Sequence, residues 1–312
     1  MQADAVIFDR PGKVAVRRLS LNAAGESDVV VETTVSGIST GTEKMLFSGT
    51  MPAFPGMGYP LVPGYESIGR VVAAGPASGR QPGEIVFVPG ANCFEGAAGL
   101  FGATASRLVV PGARVFAVGG AMEEDAVLLA LAATALHAVR RARGPIGLVV
   151  GHGTLGRLIA RTIVALGFPA PVVWETAAAR RDGALGYQVV APQDDTDGRY
   201  GTAIDASGNV DVIDQVIARL QRPGELVLAG FYGERIGCSF APAFMRELTL
   251  SIAAEFRPDD VIDVIKLVEA GSLSLKGLVS HRASPADAQS AYQTAFQDLN
   301  CLKMIIDWRN AA

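Results

Sequence analysis

The 312-residue sequence predicts an α/β fold made of a β-rich first third, a doubly wound parallel sheet and a returning tail. Three observations carry this. The first third is dense in β-branched residues, Gly and Pro. A short apolar run at 146–150 then feeds a glycine-rich turn, GHGTLG, that opens directly into a helical pattern. Beyond it, strand-like and helix-like segments alternate, which is the signature of a parallel sheet with crossover helices.

Taken in order, VVVETTVSGIS, GYESIGRVVAAG, GEIVFVPG and ASRLVVPG are short strand-like runs bounded by turn residues, and they read as a small barrel or distorted sheet. From Glu123 the segment EEDAVLLALAATALHAVRRAR has helical spacing and is stopped by Gly144-Pro145. Ile146 to Val150 suits a strand buried on both faces. The helix RLIARTIVALG follows the glycine turn, and the strand Pro171 to Trp174 ends at Glu175. TAIDAS, VDVIDQVIARL, ELVLAGF and LTLSIAAE continue the alternation, and DDVIDVIKLVEAG, LVSHRAS and KMIIDW close it as helix, strand, helix and strand. The expected domains are 1–118, then 119–252 around the parallel sheet, then 253–312 returning to complete the first.

A net charge of −4 and the lack of a clustered basic face exclude nucleic acid as a partner. Arg140 to Arg143 read as a solvated helix end. Mean hydropathy is +0.30, yet no apolar run approaches the roughly 20 residues of a membrane span. MQADAVIFDR lacks the layout of a signal peptide, so a cytoplasmic protein is expected, with association to a membrane surface left open. Cys93, Cys238 and Cys301 are too dispersed for a disulfide framework or a CxxC metal site.

The glycine turn carries the clearest chemistry. Gly151 is expected to make the tight turn, Gly153 to admit a pyrophosphate and Gly156 to let helix and strand close up, with His152, Thr154 and Leu155 lining the same turn. The helix N-terminus offers amide donors to phosphate. Glu175, at the end of the next strand, is placed to accept ribose hydroxyls and to repel the extra phosphate of NADP, so NAD is the expected cofactor. Arg180 and Arg181 pull the other way but lie past the strand end. Ser207 and Gly230, after the following two strands, are further cofactor candidates. His152 is expected to face solvent or cofactor.

Gly37-Ile38-Ser39, Pro63-Gly64-Tyr65-Glu66, Ile68 to Val72, ATALHAV, GHGTLG and RPGELVLAG together resemble the medium-chain dehydrogenase family along the whole chain. That resemblance implies a GroES-like catalytic domain interrupted by a Rossmann domain, with the active site in the cleft between them. Within the family, SGISTGTEKMLFSGTMPAFPGMGYPLVPGYESIGRVV is most similar to members that oxidise the hydroxyethyl side chain of a bacteriochlorophyllide, a tetrapyrrole alcohol, to an acetyl group. Zinc-dependent members carry Cys and His where this chain has Ser39 and Tyr65, and the four-cysteine lobe is reduced to Cys93. A hydroxyl and a phenol are poor zinc ligands, so no metal is expected.

Without a Lewis acid, side chains at the vacated position must handle the alcohol proton. Tyr65, Ser39, Thr42, Glu43 and Glu66 are the catalytic candidates, with Tyr65 foremost; alternatively Tyr65 merely fills the void and Glu66 pairs with an arginine such as Arg70. Met45, Phe47, Met51, Phe54 and Met57, with Phe94 and Phe101 opposite, suit a large planar substrate, although such residues commonly belong to core. His137 is a further substrate-side candidate on an apolar helix, and His281 and Lys303 are expected to support the site. A homodimer is compatible with the resemblance. The competing readings are a zinc-free NADPH-dependent quinone or enone reductase, and a non-catalytic NAD-binding redox sensor.

Overall fold

The computed structural model describes residues 1–309 except Phe54, Pro55, Leu100, Asp197 and Glu234. Along the chain, β1 (Gln2–Arg10) and β2 (Lys13–Ser20) form an antiparallel pair. There follow β3 (Asp28–Ile38), α1 (Thr42–Ser48), β4 (Ser67–Ala74), β5 (Ile85–Val88), β6 (Arg107–Pro111) and β7 (Phe116–Ala117). A 3-10 stretch, Gly120–Leu128, leads into α2 (Leu129–Arg141). The helix expected from Glu123 therefore starts as tighter turns and becomes α-helical only at Leu129. Next come β8 (Ile146–Val150), α3 (Thr154–Ala165), β9 (Val172–Trp174), β10 (Gln188–Val190), β11 (Tyr200–Asp205), α4 (Ile213–Arg219), β12 (Leu220–Leu228), α5 (Phe240–Met245), β13 (Thr249–Ile252) and α6 (Pro258–Glu269). The chain ends with β14 (Val279–Ala283), α7 (Ala288–Gln297) and β15 (Lys303–Asp307).

The chain forms two compact units, residues 1–130 with 275–312, and residues 131–274. In the first, β14-β15-β3-β4-β5-β7 make one sheet and β6 adds to β3. Valines and leucines on alternate positions, among them Val29, Val31, Val71, Val86 and Leu108, bury one face; Phe8, Ile38, Leu46, Leu61, Tyr292 and Ile306 build a second core. The tail enters this sheet because β15 pairs antiparallel with β3, Met304 opposite Ile38 and Ile305 opposite Gly37.

In the second unit the order β10-β9-β8-β11-β12-β13 is parallel throughout, the doubly wound arrangement the alternating pattern predicts. Leu148, Val150, Ala203, Ile217, Leu226 and Leu228 fill its core. Residues 253–274, expected in the returning tail, lie in this unit. The reason is α6: Asp260 accepts from both His137 Nδ1, at 3.0 Å, and Arg140 Nη1, at 2.6 Å, which ties α6 to α2. Among the described residues no helix is long and apolar enough to cross a membrane.

Candidate active and cofactor sites

In the parallel-sheet unit the ends of β8, β9, β11 and β12 meet as neighbours. The turn after β8 is possible only with glycine at two places: Gly151 adopts φ +93°, and a Cβ on Gly156 would overlap the carbonyl oxygen of Gly151. At Gly153 a Cβ would meet nothing within 4 Å, and Gly153 caps α3 with no side chain over the helix end. Open space at a helix N-terminus that no side chain caps is what a dinucleotide pyrophosphate requires, so the cradle fits that cofactor. Thr154 and Leu155 open the helix behind it. Ser207 packs beside Gly151 and its amide donates to Asp205, while a Cβ on Gly230 would lie 2.6 Å from the Gly208 nitrogen.

Glu175 is buried at the end of β9, and its carboxylate accepts the amides of His152 at 2.9 Å and Ala177 at 2.8 Å. His152 departs from expectation. Its ring is buried rather than turned to solvent, with Nδ1 on the Arg180 carbonyl at 2.7 Å and Nε2 against the Tyr187 hydroxyl at 2.9 Å. Arg181 donates to the carbonyls of Glu175 and Thr176. Asp205 and Tyr232, which the sequence did not single out, form a pair in which the half-buried phenol donates to the buried carboxylate at 2.6 Å; burial raises the Asp205 carboxyl.

In the other unit, Ser39, Glu43, Tyr65, Glu66 and Lys303 gather around the end of β3. The Tyr65 hydroxyl donates to Ser39 Oγ at 2.5 Å and interacts with Thr42. Burial, reinforced by the Glu66 carboxylate, holds the Tyr65 phenol above its ordinary range. Glu43 is fully buried on α1, accepting the Ser39 amide at 3.1 Å and the Tyr292 hydroxyl at 2.9 Å. Burial pushes its carboxyl up to about 8. Tyr292, from α7, was invisible to motif reasoning, since only the fold brings it to α1.

Glu66 does not pair with Arg70, whose guanidinium donates to the Gly83 carbonyl. Its partner is Lys303, buried with it at 2.5 Å and also donating to the Ile38 carbonyl at 3.2 Å. The β15–β3 register puts Lys303 there, and Gly37 leaves the room, because a Cβ on it would run into Glu66. Burial raises the Glu66 carboxyl while the Lys303 ammonium opposes it. His281 instead binds Ser280 at 2.9 Å and faces Asp298 at 3.6 Å.

This donor set does not fit zinc. Ser39 and Tyr65 are bonded to one another, Glu66 is neutralised by an ammonium, and no thiolate or imidazole is supplied. Among the described residues no cluster of His, Cys, Asp and Glu suits a metal ion.

The substrate candidates separate. Phe101 packs edge-on against Tyr65, with ring centroids 5.3 Å apart. Phe94 and Met51 are buried in the two cores, and Met45, Phe47 and Met57 pack on the core around Tyr292, with Phe47 against Phe8 and Phe296. Met51 and Phe94 are thus buried in core, while Met45, Phe47, Met57 and Phe101 are half-buried at its margin. His137 is bonded through Nδ1 to Asp260 at 3.0 Å. Phe54 lies outside the described residues.

Residues 25–138 match the alcohol dehydrogenase GroES-like domain family. Over its full length the chain is 51% identical to the 2-desacetyl-2-hydroxyethyl bacteriochlorophyllide A dehydrogenase of Rhodobacter capsulatus, and 50% identical to that of Cereibacter sphaeroides, each covered completely. The crystal structure of 2R,3R-butanediol dehydrogenase from Bacillus subtilis shares the fold at a TM-score of 0.85 and 20% identity, covering 98% of this chain and 99% of that one. The protein is thus an alcohol dehydrogenase-type oxidoreductase of pyridine nucleotides. It belongs to the medium-chain dehydrogenase/reductase superfamily, in the family of the 2-desacetyl-2-hydroxyethyl bacteriochlorophyllide A dehydrogenases.

Proposed function

We propose that the protein oxidises the hydroxyethyl side chain of a bacteriochlorophyllide to an acetyl group, with NAD as acceptor and without zinc. The observation that carries this is half-identity across the entire length of both bacteriochlorophyllide dehydrogenases. Preference for NAD is supported by the Glu175 carboxylate at the end of β9, where a second phosphate would meet like charge, and by Arg181, whose guanidinium is already committed to backbone carbonyls. Zinc independence is supported by the hydroxyl–phenol pair and the Glu66–Lys303 ion pair in place of ligands.

Bound NAD supplies a hydride acceptor. The protein's task is to hold the alcohol oxygen and move its proton. Tyr65, raised above the ordinary phenol range, stays neutral and serves as a hydrogen-bonding group rather than as tyrosinate. Because it donates to Ser39 Oγ, the serine's own proton is free to point elsewhere. In the direction of alcohol oxidation the Tyr65 oxygen takes the alcohol's proton while Tyr65 hands its own to Ser39 Oγ, Ser39 releases its proton to solvent water, and partly exposed Thr42 donates to the phenol oxygen and steadies it. Glu43 fixes the Ser39 backbone.

The test is direct. Purified protein is mixed with a hydroxyethyl bacteriochlorophyllide and either NAD or NADP, and the absorption shift that accompanies a carbonyl joining the conjugated ring is followed. Turnover with NAD after exhaustive chelation supports the whole reading; turnover only with NADP, or only with zinc restored, removes that part of it.

A further inference from the structure

The parallel strands β9 and β10 are neighbours, yet residues 175–187 between them contain only a 3-10 turn at Ala178–Arg180 and no α-helix. A crossover of this kind ordinarily satisfies its backbone groups within a helix. Here a side chain does so instead. Arg157, buried on α3, donates from Nε to the His152 carbonyl at 2.9 Å, from Nη2 to the carbonyls of Arg180 at 2.9 Å and Asp182 at 2.7 Å, and from Nη1 to that of Gly183 at 3.2 Å. The planar fork thereby binds the glycine turn and the crossover loop to one another.

His152 adds a second tie. A carbonyl oxygen only accepts, so the Arg180 contact fixes the proton on Nδ1. Burial lowers the ring to about 4, so at neutral pH Nε2 is bare and accepts the Tyr187 hydroxyl. The backbone of the same histidine donates to Glu175. One residue of the cofactor turn is therefore bonded to the loop through its ring and to the ribose-side carboxylate through its amide.

We propose that Arg157, His152 and Tyr187 are positioning residues for the adenosine ribose of the cofactor, holding the helix-free loop 176–187 against the glycine turn so that the Glu175 carboxylate is fixed toward the ribose hydroxyls. The same bonding commits Arg157 to carbonyl oxygens, which leaves this guanidinium no role in receiving a 2′-phosphate. The inference rests on the NAD reading above.

The probe is NAD compared with its 2′-deoxyadenosine analogue, which lacks the hydroxyl that Glu175 is to accept. In the wild-type enzyme the analogue is expected to show a KM, and by calorimetric titration without substrate a Kd, about tenfold or more higher. In Arg157→Met and in Tyr187→Phe this ratio falls toward one, because KM for NAD itself rises while kcat at saturating NAD changes by less than about twofold. Glu175→Ala alone also brings the ratio to one, and Arg157→Met adds nothing in that background. Variants that keep the wild-type ratio while Glu175→Ala loses it overturn the positioning role and leave the NAD reading standing. A wild type that ignores the 2′-hydroxyl, with Glu175→Ala indifferent, overturns both. Should Arg157→Met fail to fold, Tyr187→Phe, which removes one oxygen, decides.

Discussion

Tyr65 and Glu43 both bond to Ser39, one to its hydroxyl and one to its amide, yet burial moves them to different places on the pH scale. The phenol is carried out of reach of neutral pH, whereas the Glu43 carboxyl arrives at about 8. Tyr65→Phe keeps the ring against Phe101 and deletes one hydroxyl, so kcat should fall about 10²–10⁴-fold with cofactor affinity unchanged; near-full turnover would leave Ser39 acting alone. For Glu43 the consequence concerns stability. A carboxyl whose folded value lies above its ordinary 4.5 binds its proton more tightly when folded, so stability declines as pH rises from about 4.5 to about 8 and is level beyond. Glu43→Gln should flatten that decline, gaining on the order of a few kcal/mol at pH 9 relative to pH 5, as denaturant melts at the two pH values would report. The sequence made Ser39, Glu43, Tyr65 and Glu66 legible because they cluster in two short motifs. It left Tyr292 and Lys303 obscure as partners, since the packing of α7 and the β15–β3 register bring them in from more than 200 residues away.

Elements reveal a different limit. Strands β8 and β9 and helix α3 were readable from apolar runs and glycines, because there local pattern and tertiary need agree. Where a side chain replaced backbone bonding, as Arg157 does after β9, nothing periodic announced the missing helix. Likewise Met45, Phe47, Met51 and Met57 suited a ligand wall and core equally by composition, and it is the fold that packs them on the cluster around Tyr292 and Phe8. The close approach of α3 to β8 gives a prediction at this scale. Gly156→Ala drives a methyl into the Gly151 carbonyl, a backbone atom that cannot rotate aside. The turn must then open, with a loss on the order of 1–3 kcal/mol in thermal or denaturant unfolding and a parallel loss of NADH binding by fluorescence titration. A variant as stable and as tight-binding as wild type would show that the turn yields at no cost.

At the scale of the molecule, the order of textures in the chain anticipated two units, one of them split in sequence, while the limit of the second was set by the buried Asp260 contacts that hold residues 253–274 to it. Elemental analysis of the intact protein should find no stoichiometric zinc, and turnover should survive a strong chelator; one zinc per chain with activity lost on its removal would reverse the reading of the Ser39–Tyr65 region. The split also has a consequence for biosynthesis. Glu43 and Glu66 are translated more than 200 residues before the phenol and ammonium that answer them, Tyr292 and Lys303. Until then, burying these two carboxyls leaves polar oxygens short of their partners, which disfavours closing the first unit while 131–274 is made. A chain cut just before β14 is therefore expected to give a folded 131–274 unit and a first unit left unclosed at Glu43 and Glu66, without turnover.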